Sequence, residues 1–255
     1  MCCFSQPVVS VSATNIFARA EDNGRQVVVY SMSIEARTDL AMILPLPVQL
    51  PAGEEDARFI NLKGYPDFFA DLENGFIPPP PPASHSLGDM VVPGNASLAI
   101  LPVVTVGDFE ASFVPSIQDF SRLDERFRIA DNLWDKLPGY QDFGFAVFKL
   151  KAGAMRVHPM AFSFPRRDHK TVFFPTVHIH DGHVHPKAEF DHVIYCQPLA
   201  DEALATREWD ESYTHPARFM EVGRTKGIIL PDEHCFKKEM HGRLANRDTY
   251  LRVTV

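Results

Sequence analysis

Twenty-one prolines spread through 255 residues set the tightest limit on what this chain can fold into. Proline has no amide donor and a fixed φ, so it breaks helix interiors and central ladder positions. A chain punctuated this way builds interrupted strands and turns rather than long helices. Hydrophobic residues at 45% and charged residues at 23% are globular proportions. The length suffices for one substantial core. The expected fold class is α+β: a strand-rich mixed or antiparallel sheet with a few short helices, in a single domain over residues 1–255.

Local patterns place the elements. The turn signal Asp22-Asn23-Gly24 precedes the β-rich run 27–34, which predicts a hairpin with Asn15-Ile16-Phe17-Ala18. Residues 40–46 form an apolar run cut by Pro45 and Pro47, so that strand ends there or lies on an edge. Phe68, Phe69 and Leu72 have helical spacing, and Gly75 supplies a stop. Strands are expected at 96–106, 109–114, 143–150, 160–164, 171–179, 190–196 and 250–255. The near-helical spacing of Ile117, Phe120, Leu123, Phe127, Ile129, Leu133, Trp134 and Leu137 predicts one or two amphipathic helices ending at Pro138-Gly139. Residues 78–82 are five consecutive prolines, which makes 78–90 an extended, polyproline-like loop.

Charge and composition narrow the partners. With 33 acidic against 25 basic side chains and a formal charge of −8, the overall field opposes phosphate, despite a local patch at Arg166, Arg167 and Lys170. No nucleic acid is expected. No apolar run approaches the roughly 18–20 residues that cross a bilayer, so no membrane is expected either. The first residues lack a basic stretch followed by an apolar one, which points to the cytoplasm. The four cysteines (Cys2, Cys3, Cys196, Cys235) are too few and too scattered for a disulfide framework or a zinc ribbon. A protein partner would be met through the proline-rich loop or an edge strand.

The residues most suggestive of chemistry are Thr176-Val177-His178-Ile179-His180-Asp181-Gly182-His183-Val184-His185-Pro186. With Asp181-Gly182 as a two-residue reversal, His180 pairs with His183 and His178 with His185. All four imidazoles then share one sheet face, while Val177, Ile179 and Val184 share the other. Cross-strand spacing of about 5 Å would let two or three rings converge on zinc or another divalent transition metal. Asp181, Glu189, Asp191, His192, His234, Cys235 and His241 are further donors. The bland counterpart is an amphipathic hairpin with solvated histidines, Pro186 marking its strand as an edge.

Cys2 supports a rival reading. Loss of the initiator methionine would leave a free amine beside a thiol, as in N-terminal nucleophile amidohydrolases. Arg19-Ala20-Glu21-Asp22 resembles the Arg-x-x-Asp of bile-salt and penicillin V acylases. A third reading is a metal-free scaffold or interaction protein. Gly-x-Ser-x-Gly, a phosphate-cradling glycine loop and His-Glu-x-x-His are absent from the sequence.

Four places along the chain resemble a bacterial family of unknown function. They are Cys2-Cys3-Phe4-Ser5-Gln6-Pro7, the run Asp39-Leu40-Ala41-Met42-Ile43-Leu44-Pro45-Leu46-Pro47, Gly139-Tyr140 before a strand at 145–150, and the strand pair at 159–164 and 174–177. The resemblance implies topology, not chemistry: one continuous unit rather than two domains divided at the prolines.

Overall fold

The computed structural model describes residues 2–78, 104–106, 109–128, 134–199, 203–204 and 207–254. In chain order the strands begin with β1 (Cys2–Phe4), β2 (Ser10–Ala20), β3 (Arg25–Ala36), β4 (Leu40–Leu46) and β5 (Arg58–Asn61). One short helix, α1 (Phe68–Asn74), precedes β6 (Val104–Val106), β7 (Phe109–Val114) and β8 (Gly144–Leu150). Then come β9 (Gly153–Arg156), β10 (Met160–Pro165), β11 (Thr171–Phe174), β12 (His178–Ile179) and β13 (Lys187–Gln197). The last are β14 (Ala203–Leu204), β15 (Asp210–Glu211), β16 (Phe236–Ala245) and β17 (Thr249–Thr254).

Two sheets face each other. One is six-stranded, in the order β12-β1-β4-β8-β7-β6; the other runs β15-β16-β13-β2-β3-β10-β5, with β9 also on β3. A third, small sheet is β11-β17-β14. The pairs β1–β12 and β13–β2 are parallel and the others antiparallel. Period-two alternation sends Ile16, Val28, Tyr30 and Phe162 from one sheet against Met42, Leu44 and Phe148 from the other. The outward faces are buried as well. Phe17, Val29 and Tyr195 lie under α1, whose Phe68, Phe69 and Leu72 cover them. Each fully buried side chain of that size is worth about 1.5–3 kcal/mol. Burial on both faces explains why β3 and β4 read as near-continuous apolar runs.

The predicted β2–β3 hairpin is present. Gly24 sits at φ +76°, and Asn23 Oδ1 accepts the Arg25 N–H at 3.0 Å. Pro45 lies where β4 has β8 beside it but β1 no longer reaches, since β1 pairs only with Met42 and Ile43. A missing donor costs nothing on that open side.

The α+β expectation is wrong: strands in several sheets dominate, and α1 is the one α-helix longer than a single residue among the described residues. The amphipathic helices expected over 117–137 are instead 3₁₀ turns at Ile117–Arg122 and Glu125–Phe127, with another at Pro138–Tyr140; residues 129–133 lie outside the described residues. Phe120, Phe127 and Trp134 still reach the outer face of the six-stranded sheet at Phe145. Tertiary burial satisfied the apolar spacing without a continuous helix. The strand expected at 171–179 splits at Pro175 into β11 and β12, which join different sheets. The proline run from 79 onward and the strand expected at 96–103 lie outside the described residues.

Candidate functional site

The Asp181-Gly182 reversal forms locally but does not make a hairpin. Gly182 takes φ +77° and Asp181 Oδ1 accepts the His183 N–H at 2.9 Å. The pairing expected between His178 and His185 is absent, because β12 runs parallel to β1, in register Cys2–His178 and Cys3–Ile179. Asn246 occupies the other side, accepting the His178 N–H at 2.7 Å and donating to the carbonyls of His178 and His185 at 2.8 and 2.9 Å.

The four histidines therefore separate into two pairs. His183 and His185 are exposed beside Asp181, with His185 Nε2 2.9 Å from its carboxylate. His178 turns inward and meets His192 of β13, Nε2 to Nε2 at 3.0 Å, with the two rings stacked at 4.5 Å. His180 lies 4.9 Å from His178, centroid to centroid, and its Nε2 is buried without a hydrogen-bond partner among the described residues. Phe4 and Phe190 supply the apolar wall. Among the described residues no three donors stand ready-made as a metal cage.

Sequence reasoning named His192 only as one of several distant donors. A bulge in β2 between Ser12 and Asn15 puts Ala13 at φ +51°, where its N–H reaches Asp191 Oδ2 at 2.6 Å. Asp191 Oδ1 stands 3.6 Å from His192 Nδ1, too far for a hydrogen bond but near enough to attract a proton. Burial, then the neighbouring imidazoles, hold His178 down to about 2 and His180 to about 4. Burial also lowers His192, against the pull of Asp191. All three are neutral, with ring nitrogens able to share a proton or offer lone pairs.

The pieces of the amidohydrolase reading lie apart. Cys2 is in the six-stranded sheet, whereas Arg19 is buried in the eight-stranded one, donating to the carbonyls of Gly227, Ile228 and Ala20. Ser212, His234 and Glu211 cluster without forming a catalytic relay, because serine and carboxylate both approach the same ring nitrogen, Nδ1.

A second site was visible in the sequence only as the basic residues Arg166 and Arg167. Two hollows of about 180 and 580 Å³ adjoin and share Phe143 and Tyr250 as walls. Tyr140 packs edge-on to Phe143 at 5.0 Å, and Phe173 makes a tilted contact at 5.2 Å with Tyr250, which is 49% exposed. The buried Arg166 lines the smaller hollow and Arg247 the larger. The acidic groups beside this groove are occupied. Asp142 pairs with Arg167 at 2.6 Å, Asp168 accepts from Lys170 and Thr171, and Asp248 accepts from Tyr140, Thr176 and Val177. The exposed Arg247 has no carboxylate partner among the described residues. Residues of β3, β10, β11, β17, a 3₁₀ turn and the loops between them meet here, so no local motif announces the groove.

Neither family models nor curated sequences match the chain. Solved structures do. Baculovirus p35 aligns over 100% of both chains at 14% identity and TM-score 0.49. A mutated baculovirus p35 after caspase cleavage covers 96% of this chain and 99% of its own at 13% identity, TM-score 0.47. The structure of a caspase-8/p35 complex covers 94% and 96% at 12% identity, TM-score 0.46. A likeness at this level says nothing about what this chain binds. Among the described residues no helix is long and apolar enough to cross a membrane.

Proposed function

We propose that the chain is a binding protein that takes an extended, acidic polypeptide segment into the groove between Tyr140 and Tyr250. The observation that carries this is the half-exposed Tyr250 ring, shared by both hollows beside Phe143 and Phe173, with Arg166 lining one hollow and Arg247 the other. Tyrosine and arginine in a concave, partly desolvated setting are the residue types that dominate interface energetics. Arg247, without a carboxylate partner among the described residues on a chain of charge −8, favours a ligand bearing carboxylates. Panning a random peptide library on the purified chain tests it. Enriched sequences should combine Asp or Glu with an apolar residue and lose binding to Tyr250→Ala and Arg247→Ala. Enrichment that survives both substitutions would place the contact elsewhere, and selection of small carboxylates without peptide would replace the polypeptide by a metabolite.

A second reading is that the chain holds zinc or another divalent transition metal. The observation favouring it is the 3.0 Å approach of the His178 and His192 Nε2 atoms. Two nitrogens on one tetrahedral ion at 2.0–2.1 Å stand roughly 3.3 Å apart. Metal analysis of untagged protein, with and without His192→Ala, tests this reading.

A further inference from the structure

We infer that His178, His180 and His192 form a three-imidazole site for a divalent cation of the zinc, copper or nickel type, with the exposed His183 and His185 outside the ligand set. This rests on the metal reading and deepens it by naming the ligands. His178 and His192 already stand at nearly the bite distance of one ion, their Nε2 atoms 3.0 Å apart. His180 offers the third donor: its Nε2 is buried, lacks a partner among the described residues, and belongs to the ring next to His178. The His178 and His180 rings lie 4.9 Å apart, centroid to centroid, so the third imidazole borders the same spot. An unsatisfied buried polar atom is expensive and uncommon, which makes it a pointer to an absent ligand.

The surroundings suit the task. Asp191 approaches the far nitrogen of His192 at 3.6 Å, and its other oxygen is pinned by the bulged Ala13 N–H at 2.6 Å. A carboxylate on the far side of a ligating imidazole is the usual outer-shell partner, and Asp191 is placed to become one if it closes on Nδ1 when the ion binds. Phe4 and Phe190 shield the rings from water. Imidazole-only donors exclude calcium and magnesium, which prefer oxygen. The ion would tie β12 of one sheet to β13 of the other.

The experiment uses the untagged full chain, stripped with a chelator and titrated with Zn²⁺ while imidazole nitrogens are followed by ¹⁵N NMR. Three rings should shift together at one equivalent, while those of His183 and His185 stay put. Affinity should fall more than about 100-fold in His180→Gln, beyond the 10–100-fold range expected for the outer-shell change Asp191→Asn. Thermal melts of the metal-free variants check that each still folds, and the wild-type spectra need no variant. Binding retained at full strength in His180→Gln would overturn the ligand set while leaving the metal reading intact. Shifts confined to His183 and His185 would move the ion to the surface turn and overturn it too. No shift at all would sink both.

Discussion

The Tyr140 hydroxyl donates to Asp248 Oδ2 at 2.6 Å, and the other oxygen of the same carboxylate accepts the N–H groups of Thr176 and Val177 at 2.9 and 3.0 Å. One side chain thus holds a wall of the aromatic groove against the strand that leads to His178. Asp248 keeps its backbone partners when the phenol is removed, so Tyr140→Phe should cost only about 0.5–1.5 kcal/mol in urea unfolding. Asp248→Ala orphans two amides and the hydroxyl, and should cost clearly more.

Burial pushes the Tyr250 phenol up to about 12, with Asp248 adding to the effect. Its ring is nevertheless half exposed, with Phe173 as its aromatic neighbour at 5.2 Å. Tyr250→Ala should change the melting temperature little while abolishing selected-peptide binding, measured by calorimetry. A large loss of stability would make this ring structural instead.

Acid should weaken the fold through the imidazole cluster. In metal-free protein His178, His180 and His192 stay neutral, whereas the unfolded chain protonates them near the ordinary value of about 6.5. The unfolded state then binds more protons, so stability falls as pH drops below about 6.5, down to about 4 for His180 and about 2 for His178. Asp181 and Asp191 pull the other way, but burial is the larger influence. The slope is at most about 1.4 kcal/mol per pH unit for each ring. Urea midpoints at about pH 7 and about pH 5 should show the loss, and His180→Gln should reduce it. Equal slopes in the two proteins would contradict the assignment.

Gln26 acts as a surrogate strand for β11. Its buried amide donates to the Phe173 carbonyl at 2.6 Å and accepts the Phe173 N–H at 3.0 Å. Gln26→Leu keeps the volume but strands two backbone groups, each worth about 1–3 kcal/mol. Unfolding stability should drop by about 2–6 kcal/mol, and amide exchange at Phe173 should accelerate.

Glu73 anchors α1 to the sheet beneath it, taking the Tyr195 hydroxyl at 2.7 Å and the Lys237 ammonium at 2.9 Å. Lys237 is 8% exposed and also reaches Glu239 at 3.3 Å. Glu73→Gln should therefore be tolerated better than Glu73→Ala, which leaves a phenol and much of an ammonium charge uncompensated. Melting temperatures of the two variants decide it.

What the sequence made legible was local. Asn23-Gly24 announced the β2–β3 reversal because a positive φ is a property of the turn itself, and Phe68, Phe69 and Leu72 announced α1 because one face had to be buried. The histidine segment failed for the converse reason. Asp181-Gly182 does turn, but strand partners are chosen by tertiary competition, and β1 and Asn246 displaced His183–His185 from His178. His192 and the Tyr140–Tyr250 groove depend on contacts between residues far apart in the chain, which no window of sequence contains.

The most direct test of the binding role is backbone NMR shift mapping of the whole chain with a peptide selected on it. Shifts should concentrate at Tyr140, Phe143, Arg247 and Tyr250, and disappear with Arg247→Ala. Shifts gathered on another surface, or a spectrum that the peptide leaves unchanged, would contradict the account.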